Sequence, residues 1–146
     1  MNDPVEPRAT GGCLCGAVRF EVRGALRGVL TCHCGQCRRI HGHQGAYTAA
    51  ARADIAITAG RGLKWYVSSP AARRGFCGDC GSPLFWEPAG RDYTAIAAGS
   101  LDQPTGLETI GHVYTADIAD YDEIADGLAQ WPGEMDPESR RTDWAG

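Results

Sequence analysis

Short stretches in which apolar side chains alternate with polar ones, or cluster with aromatic residues, recur along most of the chain. Residues 17–22 alternate apolar and charged positions, the period-2 pattern of a strand with one buried face. Residues 63–67 are aromatic and β-branched, which also favours a strand. Further strands are predicted at residues 29–31, 47–51, 55–58, 84–86, 93–98 and 110–114. The pattern therefore predicts a mainly β protein.

Helical signals are few. Twenty glycines are spread over 146 residues, which favours short strands and tight turns over long helices. Ile124, Leu128 and Trp131 recur at helical spacing, after an aspartate that suits an N-cap and before a Pro-Gly stop. Residues 34–45 are polar and basic, and predict a loop or a short helical turn. The sequence thus predicts one short C-terminal helix.

Length and charge narrow the class of protein. A chain of 146 residues predicts one domain, and its formal net charge of −4 argues against a general nucleic-acid binder. No stretch approaches the roughly 20 apolar residues that span a bilayer. Residues 1–7 have neither the basic nor the apolar part of a signal peptide. We therefore expect a cytoplasmic protein with no nucleic-acid and no membrane partner, whose cysteines serve metal binding or catalysis rather than disulfides.

Four of the seven cysteines form two widely separated pairs. Cys13 and Cys15 make a C-x-C pair, and Cys77 and Cys80 make a C-x-x-C pair. Four thiolates are the ligand set of a closed tetrahedral zinc site. A redox-active C-x-x-C is the alternative, but Pro83 and a predicted strand follow where a redox motif has a long helix. The spacing therefore favours a structural zinc site.

The other three cysteines, Cys32, Cys34 and Cys37, lie within six residues of one another. Three thiolates this close repel one another unless a cation lies between them. A site with three protein ligands leaves one zinc coordination position open for water or substrate. These three cysteines are therefore the candidate catalytic residues.

Two alternatives remain open for this second site. His33, His41 or His43 is near enough in sequence to close it as a fourth ligand, although the His33 side chain points away from its neighbours in an extended segment. The three cysteines are otherwise free thiols that bind metal weakly.

The cysteine motifs and their neighbours resemble the family of glutathione-dependent formaldehyde-activating enzymes and centromere protein V. The resemblance covers roughly residues 11–131. It is carried by residues 12–20, 32–39, 74–82 and 99–102, by His112 and by residues 117–131. Tyr114 is a departure, because the family often has tryptophan there.

The resemblance implies a fold, two metal sites and a domain organisation. The fold would be small, mostly antiparallel β-sheets arranged like a tent around a structural zinc. The matched residues 11–131 would be the zinc-binding domain, while the composition of the two ends predicts a flexible leader at residues 1–10 and a polar tail at residues 132–146. Two Zn²⁺ ions per chain would be held, the structural one by Cys13, Cys15, Cys77 and Cys80, and the catalytic one by Cys32, Cys34 and Cys37.

The resemblance also implies a reaction, in which glutathione and formaldehyde combine to S-hydroxymethylglutathione. This is carbon–sulfur lyase chemistry in reverse, with a small thiol as the partner. Candidate cations for the glutathione carboxylates are Arg38, Arg39, Arg73 and Arg74. The alternatives are a non-catalytic binding module with two structural zinc sites, and a zinc-buffering or redox-sensing protein.

Overall fold

Short strands make up most of the described part of the chain, residues 6–136 of a computed structural model. Within those residues there is one α-helix, as well as three short 3₁₀ turns. In chain order the elements are β1 (Ala9–Gly12), β2 (Arg19–Val22), β3 (Val29–Cys32), α1 (Gly35–His41), β4 (Gly45–Ala51), β5 (Ile55–Ala59), β6 (Leu63–Ser69), β7 (Ala72–Cys77), β8 (Pro83–Pro88), β9 (Tyr93–Ala97), β10 (Thr109–Val113) and β11 (Ala129–Gln130). The prediction of a mainly β protein is confirmed.

The chain divides after Ala25, Ala49 and Thr105 into two compact units. In the first unit β2 pairs antiparallel with both β1 and β5. Strands β6 to β9 follow one another as an antiparallel meander. Phe20 is buried and packs edge-on against Phe85, with ring centroids 5.1 Å apart. The buried and partly buried positions along β2 alternate as the period-2 pattern requires.

The second unit contains parallel as well as antiparallel pairs. Strand β3 lies antiparallel to β4 and parallel to β10, and β10 is also parallel to β11. The sheets are mostly antiparallel, as expected, and β10 is the exception because both of its pairings are parallel. Its parallel register places Val113 opposite Cys32 and His112 opposite Thr31. This pairing brings a residue far along the chain to the central cysteine motif.

Helix α1 begins directly within that motif. Cys34 is its N-cap, with an extended backbone and a sulfur that accepts a hydrogen bond from the Cys37 N–H. The helix ends at Gly42, which has a φ of 79°, a left-handed conformation that favours glycine. The short helical turn predicted for residues 34–45 is confirmed.

The predicted C-terminal helix is wrong. Gly127 has a φ of 75°, which interrupts a right-handed helix between Ile124 and Leu128. The Trp131 N–H donates to the backbone oxygen of His112 at 2.9 Å, so this segment bonds to β10 rather than to itself. The apolar residue Trp131 instead packs from this irregular segment against the core of Leu30, Val113 and Met135.

The described residues include the last part of the predicted leader and the first part of the predicted tail. Strand β1 begins at Ala9, and Met135 is buried in the second unit. Residues 1–5 and 137–146 lie outside the described residues. No helix in the described part of the chain has the length and apolar character needed to cross a membrane.

Gly42→Ala is expected to destabilise the protein by about 1 kcal/mol, because alanine is strained in the left-handed region. A Cβ on Gly42 would meet no atom within 4 Å, so the effect isolates backbone strain. The measurement is the midpoint of urea denaturation. Gly99→Ala is the matched control, since Gly99 also faces open space but lacks a positive φ. Equal midpoints for the two variants would contradict the assignment.

Candidate metal centres

The first group of cysteine sulfurs lies entirely in the first unit and consists of Cys13, Cys15, Cys77 and Cys80. The four sulfurs lie within 4.8 Å of one another. The Cys13–Cys15 and Cys15–Cys77 sulfur distances are 3.7 and 3.8 Å. Zinc–sulfur bonds of about 2.3 Å in a tetrahedron separate the sulfurs by about 3.8 Å. The group therefore fits a tetrahedral zinc ion.

Two turns of the first unit bring these sulfurs together. In the turn before β2, the Val18 N–H donates to the Cys13 sulfur at 3.2 Å. The turn between β7 and β8 carries Cys80, and the Ser82 hydroxyl lies 3.2 Å from its sulfur. This hydroxyl, together with the Ser82 backbone N–H, lowers the pKa of the Cys80 thiol to about 5. A thiolate is the form that binds metal.

The second group lies entirely in the second unit and consists of Cys32, Cys34 and Cys37, here called the three-cysteine group. Cys32 ends β3, Cys34 caps α1 and Cys37 lies in its first turn. The three sulfurs lie within 4.8 Å of one another. The junction of strand and helix thus gathers three sulfurs from six consecutive residues.

Hydrogen bonding within the three-cysteine group favours the thiolate form of Cys34. Hydrogen bonds from the Cys32 and Cys37 thiols lower the pKa of the Cys34 thiol to about 2. Contacts with the Cys34 and Cys37 sulfurs, together with burial, raise the pKa of Cys32. A cation among the sulfurs favours ionisation of all three, because opposite charge stabilises the charged form. The donor set therefore suits a thiophilic ion such as Zn²⁺.

No histidine joins the three-cysteine group within residues 6–136. The His41 Nε2 atom lies 2.8 Å from the Tyr47 hydroxyl. The His43 Nδ1 atom lies 3.1 Å from the Tyr121 hydroxyl. The candidates for a fourth ligand are thus bonded elsewhere, and His33 likewise has a partner described next.

His33 begins a line of hydrogen bonds that sequence reasoning missed. Its Nε2 atom lies 2.9 Å from Nδ1 of His112, and Nε2 of His112 lies 2.7 Å from Oδ2 of Asp126. Both imidazoles are buried. Burial, with the nearby His112 as a second cause, lowers the pKa of His33. Spacing gave no signal, because 79 residues separate the two histidines.

The four candidate arginines differ in how buried their side chains are and in what their guanidinium groups contact. Arg73 stacks on Trp65, 3.9 Å from the ring centroid, and bonds Glu87 at 2.8 Å. Arg74 is buried. The Arg38 guanidinium lies 3.8 Å from the position that a Cβ would take on Gly35, beside the three-cysteine group. Arg38 forms no salt bridge within the described residues, and neither does its neighbour Arg39.

Comparisons with known proteins agree with the family resemblance in the sequence. Residues 8–117 match the family model described as glutathione-dependent formaldehyde-activating enzyme. A crystal structure of a protein from Rhodobacter sphaeroides is similar, with 27% sequence identity and a TM-score of 0.58. The similarity covers 71% of this chain and 99% of that one. No curated protein matches the chain in sequence.

Proposed function

The chain belongs to the glutathione-dependent formaldehyde-activating enzyme family, and on this premise we propose that it is a zinc-dependent carbon–sulfur lyase. The proposed reaction joins glutathione and formaldehyde into S-hydroxymethylglutathione. A carbon–sulfur bond forms, the carbonyl π bond breaks, and the thiol proton ends on the new hydroxyl group. Atoms and electrons balance without an oxidant or a reductant.

The observation that supports this proposal most directly is the composition of the three-cysteine group. It offers three sulfurs and, within residues 6–136, no histidine or carboxylate at ligand distance. Three protein ligands are typical of catalytic zinc sites, whereas four are typical of structural ones. A zinc ion held there would keep a coordinating thiol deprotonated near neutral pH. Cys32, Cys34 and Cys37 would thus be the catalytic site, and each would act as a ligand.

The four-cysteine group around Cys77 would have a structural role rather than a catalytic one. Its four sulfurs come from two turns that lie 62 residues apart in the chain. Four cysteine ligands leave no coordination position for a substrate. We therefore assign Cys13, Cys15, Cys77 and Cys80 to a structural zinc ion that ties these two turns together.

Arg38 would hold a carboxylate of glutathione beside the three-cysteine group. Its guanidinium lies next to Gly35, in the same helical turn as Cys37. A planar guanidinium matches a carboxylate with two parallel hydrogen bonds. Holding the thiol next to the carbonyl replaces a bimolecular encounter with an oriented one, which is a large source of rate enhancement.

Arg38→Ala is expected to raise the KM for glutathione about tenfold and to leave kcat nearly unchanged. The reason is that the contact with the carboxylate is equally strong in the bound substrate and in the transition state, so its loss weakens binding alone. The KM for formaldehyde should not change. Arg91→Ala is the control, since it removes the same charge from an exposed position in the first unit. A KM rise of the same size in Arg91→Ala would indicate a general effect of charge and contradict the assignment.

The decisive experiment measures the rate of S-hydroxymethylglutathione formation by NMR in the presence of zinc-loaded protein. Spontaneous addition supplies the baseline, and metal-free protein supplies the control. A rate above baseline that disappears without zinc supports the lyase. A rate equal to baseline for loaded protein overturns it and favours a non-catalytic zinc-binding module.

A further inference from the structure

A hydrogen bond attaches the last residue of α1 to strand β4. The His41 Nε2 atom lies 2.8 Å from the Tyr47 hydroxyl, and the two rings meet edge-on with centroids 5.4 Å apart. Tyr47 is buried and His41 is partly buried, which makes it harder for water to replace this bond. The contact therefore ties the C-terminal end of α1 to the sheet.

The attachment point lies on the same face of the sheet as the Cys32 side chain. In the antiparallel pair of β3 and β4, Gly45 is opposite Cys32 and Tyr47 is opposite Leu30. Residues directly opposite each other project to one face, and so do residues two apart along a strand. The side chains of Cys32 and Tyr47 therefore share a face, and the sulfurs of α1 meet the Cys32 sulfur there.

Gly45 leaves the space that this attachment needs. A Cβ on Gly45 would lie 2.8 Å from Cδ2 of His41 and 3.0 Å from Cε2 of Tyr47. Both distances are well below the optimal separation of about 3.5–4.0 Å between carbon atoms. A larger residue at this position would therefore displace the His41 ring, and with it the end of α1, from the strand that pairs with Cys32.

The same helix carries two of the three sulfurs in the three-cysteine group. Cys34 is its N-cap, and Cys37 lies one turn before His41, on the same side of the helix. Cys32 ends β3 and supplies the third sulfur. The three sulfurs lie within 4.8 Å of one another only while α1 keeps its place against β3 and β4.

We propose that His41, Tyr47 and Gly45 are positioning residues that hold the three-cysteine group in its metal-binding arrangement. Three thiolates without a cation repel one another, and a helix tied to β4 opposes their separation. Gathering the ligands beforehand lowers the cost of binding the ion. The inference rests on the proposed function for the metal in this group. His41, a candidate fourth ligand by its spacing, would thus act on the site without binding the metal.

The test follows Co²⁺ binding to the full-length protein, because Co²⁺ replaces Zn²⁺ at thiolate sites and absorbs visible light. The absorption that is lost in Cys34→Ala is assigned to the three-cysteine group. Competition with a chelator, followed at that absorption, then measures the affinity of the group. Tyr47→Phe removes only the hydroxyl and is expected to weaken this affinity about tenfold, the size of one hydrogen bond.

Tyr121→Phe is the matched control for Tyr47→Phe. It removes a hydroxyl that also bonds a histidine of the second unit, His43 at 3.1 Å, but at an exposed position outside α1 and β4. The affinity of the three-cysteine group should not change in Tyr121→Phe. An equal loss in this control, or an unchanged affinity in Tyr47→Phe, would overturn the positioning role.

Variants of His41 test whether the bond itself carries the effect. His41→Gln should keep most of the affinity, because the amide group can replace Nε2 as the partner of the Tyr47 hydroxyl. His41→Leu should weaken binding as Tyr47→Phe does. The double variant of His41→Leu and Tyr47→Phe should lose no more than either single variant, since both changes remove one bond. Additive losses would contradict the assignment.

Gly45→Ala should weaken Co²⁺ binding and shift the absorption bands, because the added Cβ displaces α1 and changes the geometry of the sulfurs. Gly35→Ala is its control, since a Cβ there meets only the Arg38 guanidinium at 3.8 Å. Native bands and affinity are expected in Gly35→Ala. Native bands in Gly45→Ala would show that the helix is not held by this contact, and would overturn the role of Gly45.

Failure of the positioning role and failure of the proposed function give different results. Native protein whose Co²⁺ absorption equals that of Cys34→Ala would overturn the metal site, and with it both proposals. Native affinity in Tyr47→Phe would overturn the positioning role alone. Weakened binding in Tyr47→Phe, with no adduct formed above the spontaneous rate in native protein, would establish the positioning role while the lyase alone failed.

Discussion

Cys77→Ala is expected to leave the first unit unfolded at 25 °C, even when zinc is supplied. Cys77 is completely buried and ends β7, where its sulfur lies 3.8 Å from that of Cys15. Structural zinc binding contributes about 10–16 kcal/mol at pH 7. Whole-domain stability is only about 5–15 kcal/mol. Loss of one of four ligands therefore removes an energy comparable with the whole stability.

Circular dichroism and metal analysis of the purified variant measure this effect. The matched control is Cys34→Ala, the same substitution in the three-cysteine group, which should keep the native strand signal. Similar thermal midpoints for the two variants would contradict the assignment of the structural site. A strong chelator should reproduce the Cys77→Ala result in the native protein, since ligands and ion contribute to one free energy of folding.

Strand positions were predictable because local chemistry decides them. Strand β2 alternates buried and partly exposed residues, and its burial pattern repeats the period in the sequence. Strand β6 was visible from its aromatic and β-branched residues, although Tyr66 and Val67 are exposed. The two cysteine groups could also be predicted, because each C-x-C or C-x-x-C pair already places two sulfurs on one turn.

The prediction of a C-terminal helix was wrong for a reason that the local sequence pattern cannot reveal. Apolar residues at helical spacing also suit an irregular segment that packs on a neighbouring core. Trp131 does this against Leu30 and Val113, while its N–H bonds to β10. Propensity is a weak prior, and tertiary packing overrides it here.

The line of His33, His112 and Asp126 was beyond prediction from spacing. It depends on the parallel pairing of β10 with β3, which no local pattern specifies. That pairing brings together His33 and His112, which are 79 positions apart, and the segment after β10 supplies the Asp126 carboxylate that bonds His112. Residues that only a long-range strand pairing brings together therefore cannot be recognised as neighbours from one sequence.

Cys34→Ala is expected to reduce adduct formation to the spontaneous rate and to lower the bound zinc by one ion per chain. Cys34 caps α1, and hydrogen bonds from the Cys32 and Cys37 thiols lower the pKa of its own thiol. Its loss leaves two sulfurs, fewer than the three protein ligands usual at catalytic zinc. The fold should survive, because the four sulfurs around Cys77 belong to the other unit.

The control for Cys34→Ala is Gly35→Ala, at the adjacent position, the first residue of α1. A Cβ on Gly35 would meet only the Arg38 guanidinium, at an ordinary 3.8 Å, so native activity and zinc content are expected. Activity above the spontaneous rate in Cys34→Ala would place the chemistry elsewhere. Loss of activity with both ions still bound would instead assign Cys34 a role other than metal binding, because the ligand argument requires zinc and rate to disappear together.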